Sequence, residues 1–377
     1  MNIDLMNKRK AKIRLLRSAA LAQKNKALRP GLVWMTQLLD AKKGVIASKV
    51  EKAIQTFTDG KADAKLRRAV WKDVAVYLID PDEYFLYDFR DLKDEEKHSF
   101  VGNREKELLC SLLNHLDSNH DAWKIFMDKW QTYERFRAYF KREAILITKP
   151  EDRDAFAAFC RRHGSVMVKV TDSSQGRGIY RVDDAGDLDK RFDEIEENIL
   201  RKGKNAIVEE RITQSAVMSS FNESSVNTLR IVTFTMDQEP IIMFSFLRAG
   251  RKGAVVDNGG AGGLFIAVNE ENGTCISEGS DEAGHRYEKH PDSGVDFIGF
   301  QIPEWDKAVA LAKELACVVP EQRYVGWDLA YTDSGWVMIE GNSWSQFVGK
   351  QISLKTGLRE VVDQSLYRYL RKEGTAI

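Results

Sequence analysis

Apolar residues recur at three-and-four spacing through the first 127 residues, as in Leu108, Leu109, Leu112, Leu113 and Leu116, and glycine is scarce there. That period predicts a mostly helical N-terminal domain over residues 1–127. From residue 144 the pattern changes. Ile145-Leu146-Ile147-Thr148 and Ser165-Val166-Met167-Val168-Lys169-Val170 read as short strands, and the segment between them carries the punctuation of a helix. Pro150 suits its first turn, Glu151 and Asp152 its positive end, Arg161 and Arg162 its negative end, and Gly164 its left-handed stop. Phe156, Phe159 and Cys160 then share the buried face.

Residues 206–270 are rich in strand signals, at Ala206–Glu210, Leu229–Thr235, Ile241–Leu247 and Leu264–Val268, with glycine- and Asn/Asp-bearing turns between them. A meander or mixed sheet is expected. A helix over Glu304–Val318 would bury Trp305, Val309, Ala312 and Leu315. Two further strands form a hairpin around Asp333-Ser334-Gly335, and a last helix is expected near Gly357–Lys372. The predicted parts are residues 1–127, 128–205 and 206–377.

Composition narrows the function classes. In 377 residues, 43 % are hydrophobic and 30 % charged, and 57 basic residues balance 57 acidic ones. A chain without net charge is not built for bulk nucleic-acid or membrane binding. Cys110, Cys160, Cys275 and Cys317 stand far apart, with no C-x-x-C pair and no histidine at ligand spacing, so buried reduced thiols are expected. Lys8, Arg9, Lys10, Lys12, Arg14 and Arg17 make the first thirty residues basic, read as a solvated amphipathic helix in preference to a site for an anionic partner. No apolar run follows as in a signal peptide, and no segment would span a bilayer, so the expected compartment is the cytoplasm.

Three segments carry candidate chemistry. The strand ending in Lys169 runs into the small-residue loop Thr171–Gly178 and then into Ile179-Tyr180-Arg181-Val182. Such a loop can fold over phosphates, although alone it reads rather as an ordinary hairpin turn with a solvent-facing lysine. No G-x-x-x-x-G-K-[ST] is present, the glycines do not open a helix, and no H-R-D or D-F-G follows, which removes P-loop, dinucleotide and protein-kinase folds. In Ile207-Val208-Glu209-Glu210-Arg211-Ile212, an extended backbone could meet an adenine edge, or be an ordinary strand. The strongest site is the hairpin Val325–Asn342. A three-residue loop with Gly335 left-handed would set Asp328 opposite Glu340, with Asn342 on the same face and Val337 and Ile339 turned into the core. Two carboxylates and an amide oxygen there suit magnesium, the alternative being a solvated sheet face.

The order of these parts resembles an ATP-grasp enzyme, and more narrowly the sugar-transfer-associated ATP-grasp family. Ser225-Val226-Asn227-Thr228-Leu229-Arg230, Asp257-Asn258-Gly259-Gly260-Ala261-Gly262-Gly263, His290-Pro291-Asp292 and G-W-D…I-E-G-N from Gly326 to Asn342 carry the resemblance. It implies an α+β fold, two α+β lobes clamping ATP, preceded by the α-helical domain. It also implies that Lys129 and Lys169 contact phosphate, that Gln175, Gly176, Arg177 and Gly178 form a flap, and that Glu209, Glu210 and Ile212 belong to the adenine hinge. Asp328, Glu340 and Asn342 resemble metal ligands, and Arg230, Arg248 and Asn258 resemble groups lining the γ-phosphate and the acceptor. The loop reads S-S-Q-G-R-G, less dense in glycine than is common in such enzymes. The activity implied is Mg-ATP-dependent joining of a small-molecule carboxylate to an amine through an acyl phosphate, in surface-polysaccharide or natural-product tailoring. A phosphotransferase without ligation and a non-catalytic nucleotide-binding protein are the competing readings.

Overall fold

The computed structural model describes residues 45–116, 122–173, 178–183, 186–254, 257 and 259–373. The basic N-terminal stretch, Gln175, Gly176, Arg177 and Asn258 lie outside the described residues. The chain divides into two units, one comprising residues 1–118, 283–285 and 346–377 and the other residues 119–282 and 286–345. Residues 346–377, expected with the last lobe, thus group with the N-terminal helices.

In the first unit, helices α1 (Val45–Thr58), α2 (Ala64–Tyr77) and α3 (Asn103–Leu116) follow the predicted period. The Asp63 side chain caps α2 by accepting from the Leu66 N–H at 2.7 Å. Leu109, Leu112 and Leu113 are buried, whereas Leu108 is only partly so. The C-terminal segment differs from the single helix expected. A helix over Val348–Leu354 stops at Lys355, which is left-handed at φ 53°, and the chain resumes over Arg359–Lys372 with a π-helical stretch at Asp363–Tyr367.

Gln351, fully buried, ties this unit together. Its Nε2 donates to Tyr87 Oη (2.9 Å) and Val101 O (3.0 Å), while its Oε1 accepts from the N–H groups of Val101 (2.9 Å) and Leu358 (3.1 Å). Beside it, Gly357 lies so close to the main chain that a Cβ would stand 1.9 Å from Ser99 O.

The second unit opens with α4 (Lys129–Phe140), capped by the Asp128 side chain on the Gln131 N–H at 2.9 Å. A four-stranded antiparallel sheet follows, of β1 (Ala144–Ile147), β2 (Ser165–Val170), β3 (Tyr180–Asp183) and β4 (Ala206–Glu210) in the order β1-β4-β2-β3. Helices α5 (Arg153–His163) and α6 (Leu188–Asn198) cover one face, where Phe156, Phe159, Cys160 and Phe192 pack on Val166, Val168 and Val208. The pleat turns Lys169, Ile207 and Glu209 to the other face. Ile207 there joins a larger core with Tyr133, Phe136 and Phe140 of α4.

That core sits on a second sheet of seven strands: β5 (Thr228–Met236), β6 (Glu239–Ala249), β7 (Leu264–Ala267), β8 (Gly279–Ser280), β9 (Arg286–Tyr287), β10 (Tyr324–Thr332) and β11 (Gly335–Asn342). β5 to β9 form a meander that lacks Ala206–Glu210, expected at its start but paired instead with β1 and β2 of the small sheet, and the hairpin β10-β11 adds to the open side of β5, every pair antiparallel. Trp327 is buried at its centre and donates from Nε1 to Thr233 Oγ1 at 2.9 Å. Helix α7 (Trp305–Val318) buries Trp305, Ala308, Ala312, Leu315 and Ala316. Ala308 takes the place expected of Val309, which is only partly covered, and Cys317, on the opposite side, is exposed while the other three thiols are buried. No helix among the described residues is long and apolar enough to cross a membrane.

Replacing Gln351 by Met would remove the acceptor of two backbone N–H groups and the donor to two oxygens, a loss expected to cost about 2–4 kcal/mol. Urea denaturation should show a lower midpoint with an unchanged slope. An unchanged midpoint would mean that these groups find other partners.

Candidate active site

The hairpin places the expected pair by a different route. Its turn is two residues, Asp333 and Ser334, with Thr332 facing Gly335 at φ 94°, one residue tighter than expected. The slip is absorbed by an irregularity between Asp328 and Leu329, where Ile339 is the extra residue, so that Asp328 still faces Glu340 and Gly326 faces Asn342. In consequence Trp336 and Met338 join Trp327 and Leu329 in the core, Val337 is buried as expected but outside that cluster, and Ile339 is only partly covered.

Asp328 is buried, and its carboxylate is occupied. Arg230, directly across on β5, donates from Nε to Oδ1 and from Nη2 to Oδ2 (2.7 Å), and Arg248 on β6 donates to Oδ2 (3.0 Å). Asn342 Nδ2 approaches the same oxygen at 3.4 Å. Arg248 also pairs with Asp257 at 2.9 Å, giving an alternating chain Asp257, Arg248, Asp328, Arg230. Burial would raise the Asp328 carboxyl, but the two guanidinium charges outweigh it and hold it below the usual carboxylate range. At the far end of the chain, burial prevails over Arg248 and raises Asp257.

Glu340, half-buried, differs from its neighbour. Its carboxylate has no hydrogen bond or ion pair to any described residue, although its charge is felt by Lys129 and Arg248. The Glu340 carboxylate and the Asn342 amide oxygen therefore suit a hard cation, whereas Asp328 would have to share its oxygens with two arginines. Among the described residues no group of three or more His, Cys, Asp or Glu is gathered as if around a metal ion.

A second charged group lies on the face of the small sheet turned away from α5 and α6. Glu209 is buried, and its Oε2 accepts from Arg142 Nε (2.9 Å), Arg142 Nη2 (2.7 Å) and Lys169 Nζ (3.0 Å). Burial alone would raise this carboxyl, but Arg142 and Lys169 bring it down to about 2. Lys129, at the first turn of α4, donates its backbone N–H to Thr171 O (2.8 Å) and its Nζ to Ser173 O. Desolvation lowers the Lys129 ammonium, with Glu340 opposing and Lys169 reinforcing. Glu210 points away and accepts from the Glu143 N–H at 3.3 Å, and Ile212 is half-buried just beyond β4. Gly178 closes the described part of the loop at φ 71°. Lys129, Lys169, Glu209, Arg230, Arg248, Asp328, Glu340 and Asn342 thus belong to one unit, between α4 and the two sheets.

Sequence reasoning missed Arg142, which follows α4 without any motif, and it missed what the signature segments do. Asn227, wholly buried, accepts from the Gly250 N–H at 3.0 Å and donates to Met218 O and Asn222 O, each at 2.9 Å. His290 Nε2 donates to Gly250 O at 2.8 Å, while its Nδ1 accepts from the N–H groups of Asp292 and Ser293, each at 3.3 Å. Burial pushes the imidazole down, favouring the neutral form this arrangement needs. Asp292 then grips Arg251 at 2.7 and 3.2 Å, and Asp257 holds the Thr228 N–H at 3.0 Å. These residues clamp the segment after β6 and fix the course of Arg248.

Residues 116–365 match the sugar-transfer associated ATP-grasp family. The chain belongs to this family. Similar solved structures include D-alanyl-alanine synthetase A from Vibrio cholerae, at 13 % identity and a TM-score of 0.43 over 67 % of each chain. A D-alanine–D-alanine ligase from Bacillus anthracis complexed with ATP gives 13 % and 0.42, over 67 % of this chain and 69 % of that one. The ATP-grasp ligase PsnB, complexed with a phosphomimetic variant of its minimal precursor, Mg and ADP, gives 12 % and 0.40, over 82 % of this chain and 75 % of that one. No curated protein matches. The α+β architecture with helices preceding it is therefore the ATP-grasp fold, and family membership supports an ATP-dependent ligase.

Two outcomes are expected from this geometry. Asp328→Asn should lose about 3–5 kcal/mol of stability, because two buried guanidinium groups lose their counter-charge. Glu340→Gln should stay within about 1 kcal/mol of the parent, because its carboxylate has no fixed partner. Thermal melts of both variants without metal would show the split, and equal losses would refute it. Glu209→Gln should cost about 3–5 kcal/mol at pH 7 for the same reason as Asp328→Asn. A carboxyl depressed in the folded state stabilises above its unfolded value near 4.5 and loses that contribution as pH falls towards about 2. The gap between wild type and Glu209→Gln should accordingly narrow below pH 4.5 in urea titrations, and a constant gap would contradict the pairing.

Proposed function

We propose that the protein is a Mg-ATP-dependent ligase that joins a small-molecule carboxylate to an amine through an acyl phosphate. The observation that carries this reading is that Lys129, within an ATP-grasp unit, lies in electrostatic reach of both Lys169 and the carboxylate of Glu340, which has no partner among the described residues. Lys169 and Lys129 bind the phosphates, and the charge they bring offsets the negative charge of the transferring group. Glu340 and Asn342, with a share of Asp328, hold magnesium, which when bound supplies Lewis-acid polarisation of the phosphoryl oxygens. Glu209 and the backbone to Ile212 form the edge on which adenine rests.

The substrate carboxylate oxygen attacks the γ-phosphorus in line, and the bond to ADP breaks. The amine then attacks the acyl carbon, phosphate leaves with the bonding electrons, and the amine proton is lost to it or to water. Arg230, whose side chain keeps 12 % of its surface exposed, faces the developing oxyanion, and Arg248 steadies the carboxylate that positions Arg230. The flap residues Gln175 to Gly178 and Asn258 complete the phosphate and acceptor sides in this proposal. The family description names an association with sugar transfer, and a sugar acid and an amino acid are the substrate classes this reading takes first.

ADP release should require magnesium and both substrates when amino acids are screened against uronic and small organic acids, and mass spectrometry should find the amide. Lys169→Ala should weaken ATP binding by about 1.5–3 kcal/mol. Glu340→Gln should fold but lose most turnover. Phosphorylated product without dependence on the amine would replace ligation with simple phosphoryl transfer, and a melting temperature indifferent to Mg-ATP would end the nucleotide assignment.

A further inference from the structure

Two cationic groups, Arg142 and Lys169, meet a single buried carboxylate, Glu209, and they are not equivalent. Arg142 is held on every side. Two of its N–H groups meet Glu209 Oε2 at 2.9 and 2.7 Å, its Nη1 donates to Met338 O at 2.7 Å and Phe140 O at 3.3 Å, and its guanidinium lies 4.5 Å from the Phe140 ring centre. Lys169 makes one contact to that oxygen, at 3.0 Å, from a rotatable stem. When a polyphosphate competes for cations, Lys169 can turn to it and Arg142 cannot.

We infer that Arg142 is a positioning residue whose charge is committed to Glu209 so that the charge of Lys169 remains available to the triphosphate. This rests on the ATP reading given above. Without Arg142, Glu209 and Lys169 would cancel each other as a buried pair, and the phosphates would have to break that pair to gain a contact. Arg142 also reaches the carbonyl of Met338, just ahead of the irregularity that sets Glu340 against Asp328. One side chain therefore spans the end of α4, the middle of the small sheet and the strand bearing Glu340 and Asn342.

The test is a double-mutant cycle in the full-length protein, read as dissociation constants for Mg-ATP and for adenosine by calorimetry, with melting temperature as the check on folding. Arg142→Gln should weaken ATP on the order of tenfold or more, as Lys169→Ala does, and leave adenosine within about twofold. In the Lys169→Ala background, Arg142→Gln should have no further effect on ATP. Arg142→Lys should recover most of the affinity, and if Arg142→Gln does not fold, Arg142→Lys enters the same cycle, with a smaller effect that Lys169→Ala again abolishes. Equal losses for ATP and adenosine, additive losses with Lys169→Ala, or unchanged ATP affinity in a folded variant would each overturn the inference. Failure of the wild-type protein to bind Mg-ATP would instead remove the functional reading on which it stands.

Discussion

Asp328 sits wholly inside the protein between two arginines, and the arrangement of the large sheet follows from the need to keep that charge compensated. An isolated carboxylate at such a depth would be neutralised or would open the structure, so β5 and β6 must each deliver a guanidinium to the same point. Arg248 in turn demands Asp257, and Asp257 demands the hydroxyl and N–H of Thr228. Each partner fixes the next, and the chain of contacts ends in the loops clamped by Asn227 and His290. The acidic pair on the hairpin is consequently unequal: one member is built into the frame, and the other has no hydrogen-bond or ion-pair partner among the described residues.

Much of the fold was legible because it depends on local chemistry. The β4 boundaries, the proline and glycine ends of the helix at 150–164, and the strands β5, β6 and β7 follow from periodicity and turn residues that act within a few positions. What escaped prediction depends on distant partners. The C-terminal helix is broken where Gly357 must pass against the backbone at Ser99, a constraint set by a residue more than two hundred positions away. The turn of the hairpin was misjudged because Asp-Ser-Gly accommodates loops of two or three residues, and the choice is made by packing of Trp336 and Met338 on the core.

The candidate site shows the same division. Resemblance brought together Lys129, Lys169 and the hairpin residues, and the structure sets them in one unit. It did not indicate Arg142, since one arginine after a helix carries no pattern, nor that Asp328 is spoken for by Arg230 and Arg248. The signature segments carried the resemblance without a role for most of their residues, and in the structure Asn227 and His290 spend their polar atoms on neighbouring backbone. Short motifs of this kind mark a required main-chain path as often as they mark a reacting group.

The extra residue at Ile339 uncouples the tip of the hairpin from its base. A strand pair without such an irregularity transmits every change of turn length down the ladder and exchanges the two faces. Here the slack is taken up between the tip and the acidic pair, so a turn lengthened or shortened by one residue moves the irregularity and leaves Asp328 and Glu340 opposed. The outer end of β10-β11 can therefore accept an inserted residue in the laboratory without dismantling the face that bears Asp328 and Glu340.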